Sequence, residues 1–385
     1  MKTSAFVYPW DVNGDPAAPE RIARLGVDQV TLASAYHSTR ALTPRHPRHR
    51  IVTAEHAAVY YPVDDRWSGR ALRPFPAGDW APGDAHGEAA DALREAGLDV
   101  HTWVILAHNS RLGAERPDTS VVNAYGDRYP WAPCIAQPAT RAYLADLAAE
   151  AAVRPGAAGT ELESLGWYGL QHLHAHDKTA GVGLGDAGQY LMALCFCPAC
   201  RTGYGEQGLD ADELAAAVRD ALEPLWRGTG DDAGWPTVAK LLGEPVAAAT
   251  RAWRDGQART LQESAVAAVR AAAPEGFQVL LHADPVTYHC GANAGVDPAR
   301  ILSVADGVVV PCASGTALLA PFAAHARPDT VLAANFTVVS GMGGSPATLA
   351  ADADRARAQG ATELRLYHAG LASDGDLAAV REALR

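Results

Sequence analysis

The chain has 385 residues, 48% of them hydrophobic, which is enough for a large core and fits either two domains or one barrel with long loops. A formal charge of −12 and the lack of basic patches exclude a polyanion-binding surface, so no nucleic-acid partner is expected. The opening MKTSAFVYPWDV has no apolar signal core, and no run approaches the roughly eighteen apolar residues of a membrane helix; a cytoplasmic protein without a membrane partner is the expectation.

Segments rich in β-branched and apolar residues recur with helical stretches between them. The strand candidates are Ala5–Pro9, Gln29–Ala33, Val100–Leu106, Thr160–Leu165, Gln278–His282, Gly307–Pro311, Val331–Phe336 and Glu363–Tyr367. Helical periodicity appears at Ala18–Leu25, Gly87–Ala96, Thr140–Ala152, Ala211–Leu222, Ala247–Ala272, Pro298–Val304, Thr348–Gln359 and Asp376–Leu384. Gly97, Gly156, Gly276 and Gly360 stand just past helix ends, where a left-handed cap needs a residue without a Cβ. Eight alternating units predict an α/β fold, a (β/α)8 TIM barrel in a single domain over 1–385. The first strand is not followed by a glycine-rich phosphate loop, which removes a Rossmann-type oxidoreductase.

Three connections far exceed the usual length of about 2–6 residues. They are Ser34–Pro82, His108–Ala139 and Gly166–Asp210, and each follows a strand, which places long loops over the C-terminal face where barrel enzymes work. A helical insertion is predicted at about 201–273, packed on the barrel.

The chemically dense stretch is Gly159–Lys178, GTELESLGWYGLQHLHAHDK. Strand alternation puts Glu161 and Glu163 on one face, and Trp167, Tyr168, His172, His174 and His176 follow. Glycoside cleavage needs an acid for the leaving oxygen and a second carboxylate. Glu163 is the expected acid/base, its pKa raised by burial beside Trp167 and by Glu161. Its partner is Asp284, at the end of the fifth strand, or Glu161; a structural ion pair is the other role open to these Glu residues, and Asp284 before Pro285 could serve to end its strand. Sugar-binding candidates at strand ends are Tyr36, His37, Arg40, His108, Asn109, Trp167, His172, His174, His282, Asn335, Tyr367 and His368, with Trp10, Trp103 and Tyr168 as further aromatic platforms. The rival enzyme class is a metal-dependent hydrolase using His172, His174 and His176, and the non-enzyme rival is a carbohydrate-binding barrel without turnover. A small carbohydrate is the expected partner, and the oligomeric state stays open.

Cys195, Cys197 and Cys200 form a C-x-C-x-x-C knuckle whose thiolates can converge on one tetrahedral ion, with Cys134 as the natural fourth ligand. A closed set of four thiolates predicts a structural Zn2+ that pins loops; Cys290 and Cys312 are read as free buried thiols. The arrangement resembles the (β/α)8 glycoside hydrolases of the family 42 beta-galactosidase type. In that family one Cys after the third strand and a C-x-C-x-x-C group after the fourth hold zinc, with the acid/base Glu at the fourth strand's end. The matching residues here are Cys134, Cys195, Cys197, Cys200 and Glu163, and the resemblance spans roughly Val100–Tyr204. Two departures stand out. The family's Asn-Glu pair is replaced by Leu162-Glu163, and the seventh strand, VLAANFTVVSGMGG, lacks the nucleophile Glu and offers Asn335 and Thr337. The resemblance therefore implies a barrel of glycoside-hydrolase type without carrying over beta-galactosidase activity.

Overall fold

A computed structural model describes residues 1–170, 177–230 and 232–385; His172, His174 and His176 lie outside the described residues. Eight parallel strands close on themselves: β1 Lys2–Val7, β2 Gln29–Tyr36, β3 Asp99–Ile105, β4 Gly159–Glu163, β5 Gln278–Asp284, β6 Gly307–Pro311, β7 Val331–Thr337 and β8 Glu363–Tyr367. Closure comes from β1 pairing with both β2 and β8, with Ser4 beside Gln29 on one side and Arg365 on the other. The chain is thus a (β/α)8 TIM barrel, and two predicted strands, β6 and β8, have their predicted bounds.

The helices that follow the strands are α1 Ala18–Ala23, α2 Ala85–Glu95, α3 Pro138–Ala152, α4 Glu244–Ala272, α5 Pro298–Val304, α6 Ala320–Ala323, α7 Leu349–Ala358 and α8 Asp374–Ala383. Helix α6 escaped sequence reading because a four-residue APFA segment is too short to show a period. The four predicted capping glycines all have positive φ, from 77° at Gly156 to 95° at Gly360. The predicted insertion needs redrawing. Its C-terminal part is α4 itself, 29 residues long and tied to α3 by a hydrogen bond from Arg141 Nη1 to Gln257 Oε1 of 2.7 Å. The added material is the run of helices Asp186–Met192, Pro198–Glu206, Ala211–Trp226 and Trp235–Leu242 between β4 and α4.

The strand pleat sorts side chains between two cores. Leu32, Val104, Leu162, Leu281, Val308, Leu332 and Leu364 join the large cluster packed under the helices. The barrel interior holds Leu280, Val309, Val331 and Ala333 on one side and Phe6, Ala33 and Trp103 on the other, and between them it holds charge. Over the C-terminal face lie two hairpins, Thr39–Leu42 with Ile51–Ala54 and Ser120–Val122 with Arg128–Pro133. The long β2–α2 loop is anchored by the buried Glu150 of α3, whose carboxylate accepts hydrogen bonds from Trp67 Nε1 at 2.6 Å and Asp64 N at 2.8 Å. No helix among the described residues is long and apolar enough to cross a membrane.

Candidate active site

The barrel interior is built in two storeys on β4. In the lower, Glu161 is fully buried and accepts from Arg365 Nε at 2.5 Å and Thr31 Oγ1 at 3.1 Å. Arg365 is itself fully buried and also donates from Nη1 to Glu363 Oε2 at 2.8 Å. Burial alone would push the Glu161 carboxyl up in pKa; the Arg365 guanidinium, helped by His282, outweighs it and holds the group down at about 2. Glu161 thus takes the structural ion-pair role with Arg365, and a carboxylate engaged by a guanidinium is a poor nucleophile or base, which favours Asp284 as the second carboxylate.

The upper storey is centred on Glu163, whose side chain remains 14% exposed. β4 ends directly after it, at Ser164, which turns the chain with φ 56°; Ala107 N donates to the Ser164 carbonyl at 3.0 Å. Trp103 Nε1, from β3, donates to Glu163 Oε2 at 2.7 Å, and His282 Nδ1 lies 3.7 Å from the same oxygen. His282 bridges the storeys, since its Nε2 is 3.4 Å from Glu161 Oε2. Burial pushes the Glu163 pKa above the ordinary carboxyl range, against the counter-pull of His282 and the Trp103 N–H. The indole on Glu163 is therefore Trp103 and not, as expected, Trp167. Trp167 is buried elsewhere, donating from Nε1 to Arg254 O at 3.0 Å beneath the Arg254 guanidinium, 4.7 Å from its ring.

An aromatic wall surrounds Glu163. Tyr36 meets Trp103 edge-on at 4.6 Å, and the hydroxyls of Tyr8, Tyr36 and Tyr367 interact with one another; burial raises the pKa of all three, and the charge of Glu163 adds to the shift of Tyr36 and Tyr367. His37 stacks on Tyr36 at 4.2 Å, leans on His108 at 4.7 Å, and His108 stacks on Tyr168 at 4.1 Å. Of the sequence candidates, Tyr36, His37, His108 and Tyr367 are brought together in this wall, and His282 lies between the two glutamates. Asn335 also points into the barrel from β7, with a buried amide oxygen that has no hydrogen-bond partner among the described residues.

Three further candidates are placed otherwise. Arg40 is exposed on the hairpin, whose buried member there is Ala41. Asn109 caps the helix Ser110–Glu115, its Oδ1 accepting from Leu112 N at 2.9 Å, and its side chain also interacts with the Tyr143 hydroxyl. His368 follows a cis peptide after Tyr367 and is fully buried, stacked on Tyr8 at 4.4 Å; burial lowers its pKa to about 3, and it supports the wall from behind as a neutral ring. Sequence reading overlooked Arg365 and Glu363, although both share a strand face with Tyr367 and the period of two would have placed them inside.

Asp284 continues the same interior face of β5, two residues past His282. The β4–β5 register ends at Leu162 beside Leu281, so His282 is level with Glu163 and Asp284 is one pleat higher, roughly 8 Å away between Cα atoms on standard strand spacings. Its carboxylate accepts from Val286 N at 2.8 Å and lies 3.0 Å from His289 Nδ1. Burial disfavours the charged ring of His289, but the carboxylates of Asp284 and Asp186 outweigh it and raise its pKa above the ordinary value. Asp284, His289, Asp186 and Tyr168 line a cleft of about 150 Å³.

A separate centre holds the cysteines. Cys134, Cys195, Cys197 and Cys200 are all buried, with ligand atoms within 4.8 Å of one another. The Cys134 sulfur is 3.5 Å from that of Cys197 and 3.6 Å from that of Cys200, close to the ~3.8 Å edge of a tetrahedron with Zn–S of about 2.3 Å. Backbone N–H groups of Val122 and Cys197 point at the Cys195 sulfur, each at 3.5 Å. These four residues could hold a metal ion, and among the described residues they are the one cluster of three or more ligating groups. Cys312 is a buried thiol as expected, whereas Cys290 is half-buried and accepts from Arg254 Nη2 at 2.9 Å.

Neither protein-family models nor curated proteins give a match to this chain. Solved structures do, and those described next are glycoside hydrolases. An alpha-L-fucosidase isoenzyme 2 from Paenibacillus thiaminolyticus aligns with a TM-score of 0.59 at 12% identity, over 100% of this chain and 49% of that one. The glycoside hydrolase domain of PgaB (BpsB) from Bordetella bronchiseptica aligns with a TM-score of 0.55 at 16% identity, over 100% and 99%. Gan42B, a GH42 beta-galactosidase from G. stearothermophilus, aligns with a TM-score of 0.54 at 12% identity, over 100% and 56%. The chain spans about half the length of the fucosidase and the beta-galactosidase. At these identities the likeness is one of fold, and it includes the beta-galactosidase type that the cysteine pattern resembles.

Proposed function

We propose that this single-domain barrel is a glycoside hydrolase acting on a small sugar or oligosaccharide, with Glu163 as the general acid and Asp284 as the second carboxylate. The observation that carries the reading is Glu163 itself: a carboxyl whose burial favours its protonated form, still reachable from solvent, and ringed by Trp103, Tyr36 and Tyr367. In the reaction Glu163 gives its proton to the departing glycosidic oxygen, and the sugar carbon bonds either to a water deprotonated by Asp284 or to Asp284 directly before hydrolysis. His289 fixes the Asp284 carboxylate, and the row His37, His108, Tyr168 supplies ring faces and polar edges for the sugar. The four cysteines would hold a structural zinc ion tying the β3–α3 loop to the helices between β4 and α4, and such an ion would serve folding and take no part in turnover. Retention of the fucosidase- and galactosidase-like barrel supports the substrate class without selecting the sugar.

The test is a panel of aryl glycosides and oligosaccharides with wild type and Glu163→Gln, each with and without a strong chelator. Turnover that resists chelation and falls roughly 10²–10⁴-fold in Glu163→Gln is expected. Full activity in that variant sinks the assignment, and the anomer first released, read by proton NMR, assigns Asp284 as base or nucleophile.

A further inference from the structure

A second cleft, of about 550 Å³, opens outside the barrel mouth between the segment after β1, the hairpin of residues 39–54 and the start of α2. Its volume is in the range of small-molecule sites, and its walls combine Trp10 and Trp80 with Arg48, His49, Asp79 and Glu88. Trp80 is half-buried with its Nε1 inaccessible, so the part it offers to solvent is ring carbon, and the His56 ring meets it edge-on at 5.0 Å. Gly78 makes that posture possible, since a Cβ there would stand 2.5 Å from the indole ring. The back wall leads to the proposed active site: Trp10 stacks on Tyr8 at 4.5 Å, and Tyr8 on Trp103, the donor to Glu163, at 5.9 Å.

We infer that this cleft is a second carbohydrate-binding site, in which Trp80 takes the C–H face of a sugar ring while Asp79, Glu88 and Arg48 bind hydroxyls. A flat hydrocarbon face bordered by carboxylates and a guanidinium matches an uncharged saccharide, which has a C–H face and hydroxyls that both donate and accept. The choice of sugar as ligand rests on the glycosidase reading, whereas the geometry of the cleft does not depend on it.

The experiment titrates the protein with cellobiose, lactose and chitobiose and follows tryptophan indole N–H signals by 1H–15N NMR, Trp80→Ala identifying the Trp80 resonance. Saturable shifts at Trp80 are expected with at least one disaccharide. Affinity should fall about tenfold in Trp80→Ala and in Gly78→Val, which displaces the ring, with kcat/KM on a small aryl glycoside unchanged. No shift at Trp80 with any of the three, or affinity intact in both variants, overturns the proposal. Shifts at Trp80 in a protein inert towards every glycoside would uphold the cleft and remove the hydrolase reading; turnover without shifts would do the reverse.

Discussion

Glu161 and Glu163 are two residues apart on one strand and share one face, yet their electrostatics are opposite. Glu161 meets Arg365 and is held ionised, with a pKa of about 2; Glu163 meets an indole N–H and tyrosines, and its pKa is raised. Neither difference originates in β4. The guanidinium comes from β8, 204 residues later, and the indole from β3. The lower storey of the barrel pairs buried charges, and the upper storey sets a carboxyl among an indole N–H, tyrosines and the His282 ring, where burial raises its pKa.

Breaking the lower storey is expected to have the largest effect on stability. Arg365→Met strands Glu161 and Glu363 without their guanidinium and should cost about 3–5 kcal/mol, read by denaturant titration. Adding Glu161→Gln to that variant should recover part of the loss, and equal stability of the single and double variants would show that Glu161 is not the group Arg365 serves. Cys197→Ser tests a region remote from both storeys. After loading with Zn2+ it should retain less metal per chain than wild type, measured by atomic emission, and cost roughly 1–3 kcal/mol through weaker metal linkage, leaving kcat for any protein that stays folded. Asn109→Ala should cost about 1 kcal/mol as a lost helix cap, with KM unchanged; a raised KM would return Asn109 to the sugar site.

The pH dependence sharpens the comparison most finely. The folded pKa of Glu161 lies below its ordinary value of 4.5, so the stability it contributes is full above that pH and lost as pH falls towards about 2. The folded pKa of Glu163 is raised, so its contribution is full below the ordinary carboxyl pKa and lost as pH rises through the folded value. Glu161→Gln should therefore flatten the acid limb of a Tm–pH profile, and Glu163→Gln should flatten the decline above the ordinary carboxyl pKa. Identical profiles for the two variants would erase the distinction between the storeys.

Much of this molecule could be read from local pattern. The eight strands follow from runs of β-branched residues, the capping glycines from the left-handed conformation they alone adopt without cost, and the shared face of Glu161 and Glu163 from the period of two. The thiol cluster was legible because three of its members fall within six residues and the fourth sits in the neighbouring loop. Roles inside the barrel were not legible in the same way. Trp167 and Asn109 have the right residue types at the right strand ends, but one packs against Arg254 and the other caps a helix, while Trp103 reaches Glu163 from the adjacent strand. Sequence by itself determined the barrel, its inward faces and the cysteine knuckle, all of which depend on spacing along the chain. Tertiary structure alone decided which glutamate pairs with a guanidinium and which has its pKa raised, because a carboxyl's pKa is set by burial and by charges brought within a few ångströms from distant strands.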